Sequence, residues 1–439
     1  MRNGNVYPSK GLYGYPQNSP LDWPYWENLM VFNGKAATAT ATVYSGILVP
    51  DDVYHMLGLV WGGGASGASQ NNQDGSSTGG GGGGFAAGIL DVQPGTILPD
   101  ITVGSFTAGV VNAVGTAGTS SSIGTLLSAT GGNGGNNGIG SANTSGGTGG
   151  LGTANTRIGF VAQGGRGGDT SNNPATCRKG TGGGGAGWFW CPPEDMSNGR
   201  NRGGDLSGNT SQAAGSGGGG LGGRGGDSNQ ALVTLGITPG GGLGGRAGDH
   251  NATSGNTVGG GGSRGNGNNS HPTSGQGLIP YNVSGGVTTF TNNEPNFIDI
   301  LRSLVNMFAF AGHGRNTNSR KLREFIYGSW GAGTLNTAGT ITISSPLYGG
   351  GALSNAPGMF GASGGNASNS ANITTLAAGM LAGSGGGAVT GAGVNTITIG
   401  AGGIGGGGGG ARGGAGITGT ATSGDGGPGL VLLAWTVGY

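Results

Sequence analysis

The sequence is short of most things that build an ordinary globular domain. Charged residues make up 8% and aromatics 6% of its 439 positions, so a conventional large core is not expected and backbone hydrogen bonding must supply much of the stability. The formal net charge is +1, with no basic block or acidic tail, which excludes the usual signature of a nucleic-acid partner. No apolar run reaches the length of about 20 residues that spans a bilayer, so membrane insertion is not expected. The N-terminus, MRNGNVYPSKGLYGYP, lacks the apolar stretch of a secretory signal, and a particle component assembled in the cytoplasm is expected over a secreted cell-wall protein. The cysteines are two, Cys177 and Cys191. They make no disulfide framework, and whether they pair with each other is left open. Prolines number 17, and glycine does not hold every third position for long, which excludes collagen.

What is abundant is glycine, 115 residues of it, gathered in clusters. The stretch Gly217–Asp227 reads GGGGLGGRGGD, with echoes at Gly164–Asp169, Gly240–Asp249 and Gly405–Gly410. Leu221, Arg224 and Asp227 are three apart, so in a helix of three residues per turn they would share one edge and leave glycine on the other two. Such a helix has no internal hydrogen bonds, and buried backbone groups need partners. Several packed side by side can satisfy one another, whereas one alone would stay a flexible linker. The expectation is a bundle of rods joined by surface loops, with ψ near about 145°; eleven residues would reach roughly 34 Å. Composition alone favours disorder, but apolar segments recur between the runs. The fold class expected is therefore mainly irregular and β: a bundle of polyglycine II helices clamped by short β-strands, with one inserted α-helix.

Along the chain, residues 1–34 form an aromatic and proline-rich arm, with Trp23, Tyr25 and Trp26 as docking candidates because exposed aromatics anchor interfaces. Residues 35–439 are expected to be one glycine-rich domain. Ala36–Tyr44 alternates as a strand does. Val53–Trp61 and Leu430–Val437 are the strongest apolar strands, and pairing them would clamp the bundle shut. A helical insertion is expected at about 291–330. Glu294–Ala311 follows helical spacing, with Asn293 as cap and Gly312 as stop, and Ser319–Trp330 is a candidate second helix.

Motifs weigh against catalysis. With glycine this frequent, GxGxxG carries no information, and the GxSxG at Gly361–Gly365 lacks a strand–elbow–helix context. GGRGGD at Gly164 and Gly222 satisfies the start of a calcium-roll repeat, yet the copies lie far apart and Ser171 and Asn229 stand where an apolar residue is needed. Asp169, Asp205, Asp227 and Asp249 are better read as ends of glycine helices, accepting N–H groups of the turn that follows. Arg166, Arg224 and Arg246 would sit on bundle edges. His55, His250, His271 and His313 show no metal-ligand spacing. No catalytic residue, metal or cofactor is expected.

The ends of the glycine region carry a resemblance. ILVPDDVYHMLGLVWGGGASG runs into GGGGGGFAAGILDVQPGTILPDITVG and GTSSSIGTLLSATGGNGG, and the chain closes on GDGGPGLVLLAWTV. This pattern resembles the glycine-rich domain of bacteriophage tail-fibre and related virion proteins, over Ala36 to about Gly135 and about Gly383 to Val437. Asp51–Asp52 and Trp61 depart from it. The resemblance implies a virion structural protein, most simply a tail-fibre or appendage subunit presenting loops for host attachment; the alternative is a capsid fibre, collar or decoration protein without receptor binding. It implies other virion proteins as partners through the N-terminal arm, a host cell-surface receptor, and a homo-oligomer, commonly a trimer. For a receptor, Trp188, Phe189 and Trp190 are the candidates, since three consecutive aromatics cannot all face inward on an extended segment.

Overall fold

The strand His55–Trp61 (HMLGLVW) alternates two apolar faces, as extended backbone requires. Met56 and Val60 enter one buried cluster and Leu57, Leu59 and Trp61 another, so the strand must lie in the middle of a sheet covered on both sides. The computed structural model describes residues 28–34, 40–71, 74–171, 177–188, 201–207, 213–221, 223–229, 236–238, 240–241, 249–251, 362–368, 372–375, 377–389, 393 and 395–437. In it, His55–Trp61 is the centre of a five-stranded sheet. The C-terminal strand Leu430–Trp435 pairs with it antiparallel, Leu430 opposite Trp61 and Ala434 opposite Leu57, the partnership expected from the sequence. Phe85–Asp91 flanks it on the other side, with Trp61 opposite Phe85, and Gly159–Ala162 closes that edge. The opposite edge is Asn28–Asn33, paired with Leu430–Trp435. Residues that composition groups with the N-terminal arm thus belong to the central sheet.

A second antiparallel sheet, Gly152–Ala154, Leu127–Ala129, Ser121–Ile123, Ile101–Val103 and Thr42–Tyr44 in that order, packs on one face. Met56, Val60, Leu90, Val431 and Leu433 meet Ile101, Val103, Ile123 and Leu127 there. Gly58 sets the spacing. A Cβ at that position would lie 2.8 Å from Leu127 Cδ1 and 2.9 Å from Ile123 Cδ1.

At Trp61 the chain leaves the sheet and enters glycine. Residues 62–68, 78–84, 130–136, 146–151, 163–169, 181–187 and 406–410 are neither helix nor strand, yet their backbones are hydrogen-bonded to one another in a regular rhythm. In 78–84 the N–H groups of Gly80 and Gly83 donate to Gly408 and Gly405, those of Gly81 and Gly84 to Asn133 and Thr130, and that of Gly82 to Gly165. Carbonyls accept in the same rhythm. Thr78, Gly81 and Gly84 take bonds from Ala68, Ala65 and Gly62; Gly79 and Gly82 from Gly147 and Gly150; Gly80 and Gly83 from Gly184 and Gly187. Six segments surround this one, and contact with a given neighbour returns every third residue. A Cβ at Gly82 would lie 2.0 Å from the Gly185 carbonyl oxygen, so no other residue fits at this approach.

The run Gly217–Asp227 is not one rod. Gly220 N–H donates to Gly223 O, and a Cβ at Gly225 would lie 2.2 Å from Gly217 O, so the chain doubles back at Leu221. Leu221 is buried in the apolar cluster with Trp61 and Phe85. Burial of this one apolar residue beneath the sheet turns the chain, and only Arg224 and Asp227 keep the shared edge. Of the other expected rod, Gly240 and Gly241 are described. Short parallel ladders flank the glycine segments, among them Asn366–Ser368, Gly387–Val389, Ala411–Gly413 and Ser69–Gln70 in one sheet. Among the described residues the architecture is strands and irregular backbone, without a helix; the expected insertion at 291–330, with both helix candidates, lies outside them.

Candidate functional site

Four aspartates, Asp169, Asp205, Asp227 and Asp249, each stand directly before a two-residue strand. Thr170–Ser171, Leu206–Ser207, Ser228–Asn229 and His250–Asn251 pair parallel in that order. The carboxylates do accept backbone N–H groups, but not from their own following turn. Asp205 Oδ1 accepts from Asp169 N–H at 2.6 Å, Asp227 Oδ1 from Asp205 N–H at 2.7 Å, and Asp249 Oδ1 from Asp227 N–H at 2.9 Å. Strands about 4.8 Å apart bring the neighbouring rung within reach of a short side chain.

Arginines lace the same rungs. Arg202 bridges Asp169 and Asp205 at 2.6 and 2.8 Å, Arg224 bridges Asp205 and Asp227 at 2.7 and 2.8 Å, and Arg166 reaches Asp169 at 2.9 Å. Arg202 and Arg224 are mostly buried, and the Nε of each is enclosed without a hydrogen-bond partner. Burial raises the Asp205 carboxyl above its ordinary range, against the pull of Arg202 and Arg224. The ladder consumes the carboxylates that a calcium roll would offer. Among the described residues no group of three or more His, Cys, Asp or Glu could hold a metal ion. Arg246, the next arginine of the series, lies outside the described residues.

A second polar cluster lies among the short strands that flank the glycine segments. Arg412 is fully buried; its Nη2 donates to Asp74 O at 2.5 Å and its Nη1 to Ser76 O at 3.3 Å. Arg178 Nε donates to Asp74 Oδ1 at 2.6 Å, and buried Lys179 donates from Nζ to Ser171 O at 3.0 Å. Burial lowers the Lys179 ammonium to about 8 and the Arg412 guanidinium to about 10. Cys177, buried beside them, is a free thiol, and burial raises its pKa. A thiol held protonated is a poor nucleophile, and the cations beside it rest on backbone carbonyls and on the Asp74 carboxylate. Nothing in the sequence marks Arg412 or Lys179 as interior: both sit among glycines as surface residues would.

Of the three aromatic receptor candidates Trp188 alone is described, and it does not face solvent. Trp188 is fully buried, stacked on Trp61 with ring centroids 5.5 Å apart and 11° between planes, and against Phe85 at 5.2 Å. Trp61 Nε1 donates to Gly187 O at 3.1 Å beside it. The end of the 181–187 segment delivers Trp188 onto the apolar face of the central sheet, where its large area is better buried than wet. Phe189, Trp190 and Cys191 lie outside the described residues, as do Trp23, Tyr25 and Trp26. Ser363 of the GxSxG match is buried and accepts Gly385 N–H at 2.8 Å, a lattice contact. His55 pairs with Asp91 at 2.9 Å on the surface; His271 and His313 lie outside the described residues. No protein-family model matches this sequence, and no curated protein is significantly similar to it.

Proposed function

We propose that the chain is a bacteriophage virion structural protein without enzymatic activity, a tail-fibre or other appendage subunit whose glycine segments are polyglycine II helices packed side by side and clamped by short strands. The observation that carries the fold part is the three-residue rhythm around residues 78–84, with six hydrogen-bonded neighbours. A helix with three residues per turn and no internal hydrogen bonds turns its N–H and C=O groups outward in that rhythm. Backbone ψ near about 145° at Gly80–Gly83 is the expected measurement; values of an α-helix would remove the reading.

The functional part rests on the resemblance of the strands that enclose the glycine region, Ile47–Gly67 and Gly424–Val437, to those of phage glycine-rich domains. Loops between the glycine segments are free of lattice constraints and suit variable recognition. Purified protein is expected to compete with intact phage for adsorption to host cells. One observation favours the purely structural alternative of collar, capsid fibre or decoration protein: Trp188 is committed to the core. Binding to particles without competition for adsorption would select that alternative. A homo-oligomer, a trimer by resemblance, belongs to the same proposal and is tested by sedimentation.

A further inference from the structure

The sandwich has two poles. At one, Trp61, Phe85 and Leu430 meet across neighbouring strands and the chain passes into glycine. The other pole gathers apolar side chains that stay in solvent. Tyr54 immediately precedes His55, the first residue of the central strand, and Val437 follows Trp435, which pairs with Asn28. Leu48 and Ile97 face each other across an antiparallel bridge in the two connections that run to this end. All four are 52–67% exposed. Asn28, the first described residue, pairs with Trp435 at the same pole.

Charge at this pole is one-sided. Among the described residues Asp51, Asp52, Asp91 and Asp100 are exposed there, against one exposed arginine, Arg157, and a histidine, His55, that pairs with Asp91. The whole chain carries a formal net charge of +1, so the acidity is local. Exposed apolar residues ringed by charge are the anatomy of an interface, and the sign of the ring selects the partner. A second copy presenting this pole would set carboxylates against carboxylates, which electrostatic complementarity disfavours.

We propose that this pole is a docking face for a protein subunit whose contact surface is apolar at its centre and basic at its rim. The proposal rests on the virion reading and adds to it the attachment end of the molecule, the pole opposite the one where Trp61 passes into the glycine segments.

Two variants test it, Leu48→Gln/Ile97→Gln, which removes the apolar centre, and Asp51→Lys/Asp100→Lys, which reverses the rim. Particles are assembled with each, and copies per particle are counted by quantitative mass spectrometry; the free proteins are compared in melting temperature and sedimentation. With unchanged melting temperatures, each variant is expected to be incorporated about tenfold less than wild type, as when interface anchors are removed. Wild type present in particles and both variants at full copy number overturns the docking face alone. Wild type missing from particles overturns the virion reading, and the docking proposal with it. A wild type that self-associates, made monomeric by the charge reversal without loss of incorporation, makes the occupant a second copy and also overturns the proposal.

Discussion

Trp188 and Lys179 show at the scale of single residues how little a side chain's type says about its place in a glycine-rich chain. Trp188 stacks on Trp61 within the cluster that also holds Phe85, Leu221 and Leu432. Trp188→Ala is therefore expected to destabilise by about 3–5 kcal/mol, read as a lower urea midpoint. An unchanged midpoint would contradict its burial. Lys179 makes a pH prediction with a definite sign. Its ammonium titrates at about 8 in the folded protein, whereas in the unfolded chain it titrates near about 10.4. Between these values the unfolded state binds the proton more, so this group's contribution to stability rises with pH across that window. Below it both states are charged and the penalty for burying the cation is constant. Lys179→Met lacks the rise, so wild type is expected to gain on the variant from pH 8 to 10; a difference flat across that range would refute the burial of a chargeable amine.

The element that matters most is the glycine segment, and its tolerance to substitution varies by position. At Gly82 a Cβ meets the Gly185 carbonyl oxygen at 2.0 Å, while at Gly413 the nearest atoms stand at 3.6 Å. Gly82→Ala is expected to lower stability by more than about 2 kcal/mol, since backbone cannot move aside as a side chain can. Gly413→Ala is expected to leave it nearly unchanged. Equal effects at the two positions would argue against close backbone packing around residue 82. The aspartate ladder is the other recurring element. Its motif was visible as Arg-x-x-Asp at Arg224–Asp227, because residues three apart share an edge, while Arg202 of Arg202–Asp205 went unmarked. The partner of each carboxylate was not visible, because the partner is the neighbouring rung, 22 residues away at Asp227 and Asp249.

For the whole molecule, the C-terminal strand closes a sheet whose other members come from the first 162 residues. Leu430–Trp435 lies between Asn28–Asn33 and His55–Trp61 and contributes Leu430, Val431, Leu432 and Leu433 to both buried clusters. Deleting residues 429–439 is expected to abolish cooperative unfolding, while deleting the loop residues 141–143 is expected to lower the melting temperature only slightly. Similar melting temperatures for the two deletions would show that the strand is dispensable.

The sequence by itself determined the class of this protein: little charge, few aromatics and clustered glycine leave backbone pairing as the main source of order. It also determined the joining of Val53–Trp61 to Leu430–Val437, because alternating apolar residues with both faces greasy have no other place than the middle of a sheet. Only the tertiary structure decided where a glycine run ends. Glycine has no side chain to record which face is inward, so the reversal at Leu221 depends on an apolar cluster assembled from residues hundreds of positions apart. The same cluster took Trp188 away from the surface, and the short strands took Arg412 and Lys179 inside by offering carbonyl oxygens that only packed neighbours supply.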